Sequence, residues 1–304
     1  MVFLRVASTA VVLLALLASY PTAAPEFSDW STPVNLGPIV NSTFADQSPA
    51  VSKNGLSLYF QSDRPGFGNS DLWVSRRDRV DEPWGPPENL GTMVNSSAFE
   101  SRPSLSRDEH WLFFSSNRAG GLAPGLDIWA SYREHVHDDF DWQPPVNLGS
   151  GVNAAGSSEI EASYVENDGA PQLFFVSNRL GGFGAFDVYV SDLLADGTWA
   201  PATWVPDLSS AGPDQSVSVR FDGLEAFIIR GTPPFPAGFD LWVSTRDTVS
   251  HSWSQPVTLG QLVNSNRGDE SAHIASDRRT LYFESSRPGG VGGADLWATT
   301  RTRK

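Results

Sequence analysis

The stretch SNRLGGFGAFDVY, residues 177–189, decides the fold of this chain. It follows a short apolar run and contains Gly-x-Gly, the arrangement that a phosphate-binding loop also shows. A phosphate-binding loop needs a helix directly behind it, because the free amides of the helix hold the phosphate. Here Asp187-Val188-Tyr189-Val190 follows, which has the composition of a strand. The stretch is therefore predicted to be a turn between two strands, in which glycine permits positive φ.

The same stretch recurs four more times along the chain. The other copies are SDRPGFGNSDLW (62–73), SNRAGGLAPGLDIW (116–129), GTPPFPAGFDLW (231–242) and SSRPGGVGGADLW (285–297). From Asp71 to Asp295 the turn aspartate recurs about every 56 residues, which is close to the size of a propeller blade. Two strand patterns precede each copy, and a pattern such as WQPPVNLG follows four of them. Four strands per repeat are therefore predicted.

The ends of the chain predict how the ring closes. Five third strands are present but only four fourth strands follow them, and the missing one stands near the start of the chain as WSTPVNLG, residues 30–37. If this segment completes the last blade, no sheet edge is left open. We expect an all-β fold, a single five-bladed β-propeller over residues 30–301 with four-stranded antiparallel blades, closed by an N-terminal strand that completes the last blade. The expected blades are 46–91, 100–149, 159–206, 214–260 and 269–301 plus 30–37.

Composition and charge limit the location and the partners. The chain has 304 residues and a formal net charge of −14, so a nucleic-acid partner is excluded because the phosphate backbone would be repelled. It has no cysteine, so it has no disulfide framework. Residues 1–24 carry Arg5, a short apolar run and small residues around Ala24, which is typical of an export signal. Residues 25–29 are expected to be a linker. We predict a monomeric periplasmic or secreted protein without a membrane span.

The repeat resembles that of a known family. The repeat is similar to the β-propeller repeat of TolB and related proteins of the bacterial cell envelope. The shared features are, in order, an acid, Pro, Leu-Tyr-Phe, Ser-x-Arg, Gly-Gly-x-Gly and Asp-Leu-Trp. The resemblance covers residues 30–301 and is weakest in blade 4, where Thr232 replaces the arginine found at 64, 118, 179 and 287. It implies an envelope propeller that serves as a binding or scaffolding module, with an envelope protein as one candidate partner.

An acidic residue opens the first strand of every blade. These residues are Asp46, Glu100, Glu159, Asp214 and Asp269. First strands are innermost in propellers, so the five carboxylates could surround one mouth of the central channel and bind a divalent cation or a polar ligand. Because every blade has one, the alternative is structural: each carboxylate caps its own turn or pairs with the arginine of its blade.

Positions that break the repeat are better candidates for function. Arg102 and Glu161 stand where three other blades have serine, His273 where the others have alanine or serine, and Arg220 replaces a small residue in blade 4. By strand alternation these positions share a face with the acids. His273 is therefore a candidate acid/base or metal ligand, although a histidine satisfied by Asp269 is the simpler interpretation.

Two main functions fit these residues. The first is an exported binding or scaffold module that takes a protein or a small polar or carbohydrate ligand at the acidic mouth. The alternative is a carbohydrate-active hydrolase or lyase that uses two of the channel acids. A purely structural module with an empty channel is a third possibility.

Overall fold

Five four-stranded antiparallel sheets make up the protein. The computed structural model describes residues 26–122, 125–167, 170–231 and 238–304, so the expected export signal and Thr232 lie outside the described residues. Within these ranges the ordered elements are strands and one 3-10 turn, Pro206–Leu208, and no helix has the length and hydropathy to cross a membrane. The predicted five-bladed β-propeller is confirmed.

The strands follow one another from the channel outwards in each blade. The N-terminal strand is β1 (Val34–Asn35). Blade 1 contains β2 (Asp46–Val51), β3 (Ser57–Ser62), β4 (Asp71–Arg76) and β5 (Glu88–Asn89). Blade 2 contains β6 (Glu100–Leu105), β7 (Trp111–Ser116), β8 (Asp127–Tyr132) and β9 (Val146–Asn147). Blade 3 contains β10 (Glu159–Asn167), β11 (Ala170–Ser177), β12 (Asp187–Asp192) and β13 (Thr203–Trp204). Blade 4 contains β14 (Asp214–Val219), β15 (Glu225–Gly231), β16 (Phe239–Thr245) and β17 (Val257–Thr258). Blade 5 contains β18 (Asp269–Ile274), β19 (Thr280–Ser285) and β20 (Asp295–Thr300).

Strand β1 completes blade 5, as the repeat count predicts. It pairs antiparallel with β20, with Val34 opposite Ala298 and Asn35 opposite Trp297. The contact begins earlier than expected, because Phe27 forms a bridge with Arg303. Residues 26–29 are therefore part of the closure and not a linker. The two chain ends are joined in one sheet.

The hydrophobic cores lie between neighbouring blades. Each of the five buried clusters combines side chains of two adjacent sheets; Leu72 and Val74 of blade 1, for example, pack with Leu112 and Phe114 of blade 2. In four blades a buried asparagine also joins the loop after the fourth strand to the third strand; Asn95, for example, accepts from the amide of Leu72 and donates to its carbonyl. In blade 3 the hydroxyl of Ser209 accepts from the amide of Val188 instead. The blades are thus held together by burial of apolar surface, which the repeat distributes evenly around the ring.

The turn 177–189 uses its glycines in two ways. Gly181 has φ of 110°, as expected for a turn glycine. Gly182 and Gly184 need close approach instead: a Cβ on Gly182 would lie 2.0 Å from the Asp187 carboxylate, and one on Gly184 would lie 2.3 Å from the backbone oxygen of Gly212 in the next blade. Asp187 accepts a hydrogen bond from the Gly184 amide at 3.0 Å. Positive φ therefore explains only part of the glycine pattern.

Gly184→Ala is expected to destabilise the fold by about 1–3 kcal/mol, because the new methyl group overlaps backbone that belongs to the next blade. Gly293→Ala is the matched control: it lies in the corresponding turn of blade 5, and its Cβ would have no atom within 4 Å. Thermal unfolding of both variants measures the difference. Equal melting temperatures for Gly184→Ala and the wild type would contradict the close approach.

Candidate functional site

The first strands of the five blades surround a central channel that holds two cavities. At the end where these strands begin lies a cavity of about 320 Å³, here called the acid chamber; its lining includes Gln47, Gln61, Phe99, Arg102, Phe186, Gln215, Glu270 and Glu284. At the end where they turn into the second strands lies a cavity of about 350 Å³, here called the turn chamber; its lining includes Lys53, Arg107, Glu161, Tyr164, Phe221 and His273.

A β-bulge in each first strand directs side chains into the channel. The ladder between first and second strands shifts register in every blade. In four blades the bulged residue has positive φ without being glycine: Ser48 (52°), Arg102 (55°), Glu161 (57°) and Ser271 (44°). Bulges of this kind re-aim a side chain and are frequent beside functional sites. The bulge therefore directs Arg102 and Glu161, two of the four asymmetric residues predicted from the repeat, into the channel.

Arg102 and Glu161 form an ion pair across the channel. Nη1 of Arg102 lies 3.1 Å from Oε2 of Glu161 and also donates to the backbone oxygen of Gln215 at 2.7 Å. Glu161 lines the turn chamber and Arg102 lines the acid chamber, so the pair stands between the two cavities. Burial raises the pKa of Glu161 to about 7, against the opposing attraction of Arg102.

Two further carboxyl groups of blade 5 face Arg102. Glu270 of β18 and Glu284 of β19 are directly opposite each other in the antiparallel ladder, where Cβ atoms are about 4.5–5.5 Å apart. Burial and the charge of Glu284 raise the pKa of Glu270 to about 7, and burial raises the pKa of Glu284. Two like charges this close cannot both ionise easily, so near neutral pH the pair tends to share a proton.

The two members of this pair have different surroundings. Glu284 accepts hydrogen bonds from the side-chain amide of Gln47 at 3.0 Å and from the backbone amide of Ser48 at 2.8 Å. No side chain or amide of the described residues donates to the carboxyl group of Glu270. Hydrogen-bond donors stabilise a carboxylate, so Glu284 is the ionised member and Glu270 the protonated one.

The raised pKa of Glu161 predicts a pH dependence of stability. A carboxyl group that binds its proton more tightly in the folded state stabilises the fold at low pH, and this contribution is lost as pH rises from about 4.5 to about 7. Between about pH 5 and about pH 8 the wild type should lose roughly 1–3 kcal/mol more unfolding free energy than Glu161→Gln. Urea unfolding at both pH values measures this, and parallel pH profiles of the two proteins would contradict the assignment.

The five repeated acids lie inside the blades and line neither chamber. Their side chains are fully buried, and each forms an ion pair with an arginine of its own blade; for Glu100 and Arg118 the distance is 3.0 Å. The other pairs are Asp46–Arg64, Glu159–Arg179, Asp214–Arg230 and Asp269–Arg287. These contacts match the structural alternative, so Asp46, Glu100, Glu159, Asp214 and Asp269 are not the ligand-binding ring that their positions suggested.

Blade 4 keeps this ion pair despite its different turn. Arg230 stands at the position where the other blades have serine, and its Nε lies 2.8 Å from Asp214. An arginine two residues before position 232 thus replaces the one missing from the repeat. The physical role is conserved while the sequence position moves.

His273 lines the turn chamber, but it does not pair with Asp269, which instead contacts Ser285 and Arg287. Burial lowers the pKa of His273 to about 4, opposed by a hydrogen bond to the Val51 backbone, so the ring is neutral at pH 7. Among the described residues no carboxylate forms an ion pair with His273, so the structure does not show the simpler interpretation, a histidine satisfied by Asp269.

Arg220 belongs to the scaffold. It is buried and pairs with Asp222 at 2.8 Å and with Glu225 at 2.9 Å, and Glu225 also binds Arg301 near the chain end. It lines neither chamber. Among the described residues no three histidine or acidic side chains are grouped closely enough to hold a metal ion.

Comparisons with known proteins bear on the fold. No family model and no curated protein matches the chain. The catalytic domain of a GH62 α-L-arabinofuranosidase from Coprinopsis cinerea matches with a TM-score of 0.65 at 13% identity, over 92% of this chain and 98% of that domain. A GH43 endo-arabinanase from Bacillus licheniformis matches with 0.57 at 14% identity, over 88% of this chain and 95% of that one.

TolB from Acinetobacter baumannii is also similar, with a TM-score of 0.50 at 13% identity, over 87% of this chain and 56% of that one. At these identities the similarities concern the five-bladed fold alone. They do not single out the TolB type that the repeat resembles.

Proposed function

We propose that this protein is a carbohydrate-active hydrolase that cleaves glycosidic bonds in the acid chamber. The observation that carries the proposal is the pair Glu270 and Glu284, two facing carboxyl groups in one cavity with different hydrogen-bonding surroundings. Glycoside hydrolysis needs such a pair: one carboxylic acid that donates a proton and one carboxylate. The similarity of the fold to arabinofuranosidases supports this function over a binding scaffold.

In the proposed reaction Glu270 is the general acid. It donates its proton to the glycosidic oxygen as the bond to the anomeric carbon breaks, and the released sugar leaves as an alcohol. Glu284 is the carboxylate that assists water, or first attacks the anomeric carbon itself. Water supplies the new hydroxyl group, and its remaining proton restores the acid. The raised pKa of Glu270, about 7, keeps a useful fraction protonated near neutral pH.

The remaining lining of the acid chamber suits a sugar. Gln47, Gln61 and Gln215 provide amide donors and acceptors for hydroxyl groups, and Phe99 and Phe186 provide apolar surface for the sugar ring. The ion pair of Arg102 and Glu161 closes the inner end of the chamber. We propose a glycan containing arabinose as the substrate class, since the similar enzymes are named for arabinofuranosides and arabinan. An export signal at residues 1–24 would place the enzyme where such polymers occur.

The test is hydrolysis by the purified protein of 4-nitrophenyl α-L-arabinofuranoside, arabinan and arabinoxylan. We expect release of free arabinose or of short oligosaccharides from at least one of them. Products that carry a double bond would indicate a lyase and contradict the hydrolase. Binding of these glycans without any product would favour the scaffold module that the repeat also suggests.

A further inference from the structure

The turn chamber, at the opposite end of the channel, has two unpaired cations at its mouth. Lys53 and Arg107 both line it and both are exposed, and neither forms an ion pair with any described residue. In a chain with a formal net charge of −14, carboxylates for such pairs are abundant. Two acidic residues also line the chamber: Glu109 accepts a hydrogen bond from the backbone amide of Lys53 rather than from its ammonium group, and Glu161 pairs with Arg102.

The turns that form the rim of this chamber differ in sequence from blade to blade, although the scaffold does not require this difference. The second residue of the turn between first and second strands is Lys53, Arg107, Phe221 and Ser276 in blades 1, 2, 4 and 5, and each lines the chamber. Two positions later Gly55 and Gly223 have positive φ, as glycine readily does, but Glu109 (64°) and Arg278 (61°) have the same conformation. Side chains in this sparsely populated region are characteristic of functional segments.

The ring of Phe221, in blade 4, contacts arginine side chains of blades 2 and 5 at the mouth of the chamber. The guanidinium of Arg107 lies 5.1 Å from its ring centroid and that of Arg278 lies 5.6 Å from it. These cation–π contacts hold Arg107 in place without neutralising its charge. Its N–H donors stay available to an anion.

The lining of the chamber is partly apolar and partly polar. The apolar side chains of Val51, Leu105 and Ile274 line this chamber together with the polar side chains of His273 and Ser104. His273 is neutral at pH 7 and can exchange a hydrogen bond with a hydroxyl group. A ligand that fits this arrangement has an anionic head, an apolar body and a polar far end.

We propose that the turn chamber binds a small organic monocarboxylate with an aromatic or aliphatic body, its carboxylate held between Lys53 and Arg107. The body packs against Val51, Leu105 and Ile274, and a far hydroxyl group reaches His273. A cavity of about 350 Å³ accommodates a molecule of this size. The ion pair of Arg102 and Glu161 lies between this site and the acid chamber, so the proposal does not depend on the hydrolase.

The experiment uses 4-hydroxycinnamate as the probe and isothermal titration calorimetry of the full-length protein. We expect saturable binding that weakens about tenfold in Lys53→Met and in Arg107→Met, since each removes a charge-assisted contact. Arg279→Met is the matched control: Arg279 is exposed on the same face, forms no ion pair with a described residue and does not line the chamber. It should bind the probe as the wild type does.

Three outcomes would overturn the proposal. These are no binding of the probe at millimolar concentration, equal binding of the probe and its uncharged methyl ester, and unchanged affinity in Lys53→Met. In the first of these outcomes, binding of inorganic phosphate to the protein would assign the site to a mineral anion. Arg107 packs on Phe221, so a loss of binding in Arg107→Met counts only if the melting temperature of that variant is unchanged. Lys53 is exposed, so Lys53→Met tests the contact with the carboxylate independently.

Discussion

Glu284→Gln is expected to lower the rate of glycan hydrolysis by a factor of about 10²–10⁴, the usual contribution of a catalytic carboxyl group. The substitution retains the shape of the side chain and removes the charge that assists attack at the anomeric carbon. Because Gln47 and the Ser48 amide still surround position 284, the variant should fold and bind the glycan. Initial rates of product release at saturating substrate measure the loss.

Glu270→Gln should lose activity to a similar extent on substrates with a poor leaving group, and less on 4-nitrophenyl arabinofuranoside, whose leaving group needs little protonation. Glu88→Gln is the matched control, since Glu88 is exposed on an outer strand and pairs only with Arg76. Its rate should equal that of the wild type. Full activity in both Glu270→Gln and Glu284→Gln would mean that the acid chamber is not the active site.

Deletion of residues 26–37 is expected to abolish the native fold, because β20 would lose its outer partner β1 and blade 5 would be left with an open edge. The segment contributes the ladder of β1, the bridge between Phe27 and Arg303, and Trp30, whose ring packs 6.0 Å from that of Phe227. An exposed edge beside a hydrophobic face favours aggregation. Size-exclusion chromatography and circular dichroism should show aggregated or unfolded protein, and a monomeric, cooperatively melting deletion variant would refute the closure.

A pair of point variants tests the same closure without deletion. Asn41 is buried and holds both the amide and the carbonyl of Leu296, at 2.8 and 3.1 Å. Asn41→Ala should cost about 2–3 kcal/mol, since it leaves these buried backbone groups unpaired. Val34→Ser, in β1 with a side chain 67% exposed, should change the unfolding free energy little. Similar losses in the two variants would argue against a specific closure.

The fold could be predicted from sequence because every blade has the same packing requirements and meets them with similar residues at similar positions. The Asp of the third strand recurs in every blade, and the turn glycines and the arginine that pairs with the acid recur at the same positions in blades 1, 2, 3 and 5, since these blades solve the same packing problem. The surplus of third strands over fourth strands then fixed the closure by β1. Arg102 and Glu161 were found because they depart from this repeat at a position that the bulge turns into the channel.

Glu270 and Glu284 were missed for a geometric reason. Strand alternation places only every second residue of a first strand on one face, and Glu270 is the residue between the positions compared. The bulge breaks this alternation, so Glu270 lines the channel, and Glu284 belongs to a second strand that the repeat comparison does not include. A comparison of all blade positions would have found them: the residues corresponding to Glu270 and Glu284 in blade 1 are Gln47 and Gln61.

His273 and Arg220 show that a departure from the repeat can have different causes. Both depart from the repeat, but Arg220 compensates Asp222 and Glu225 in the scaffold, and His273 faces the other chamber. A residue that departs from the repeat is therefore a candidate for function. Its burial and its bonding partners then show whether it belongs to a functional site or pairs with a neighbouring residue of the scaffold.

The most direct measurement mixes an arabino-oligosaccharide with the wild type and, separately, with Glu284→Gln, and follows binding by calorimetry and products by chromatography. We expect both proteins to bind the oligosaccharide and only the wild type to shorten it. Binding by both proteins with no shortening by either, or equal shortening by both, would contradict hydrolysis by the acid pair of the channel.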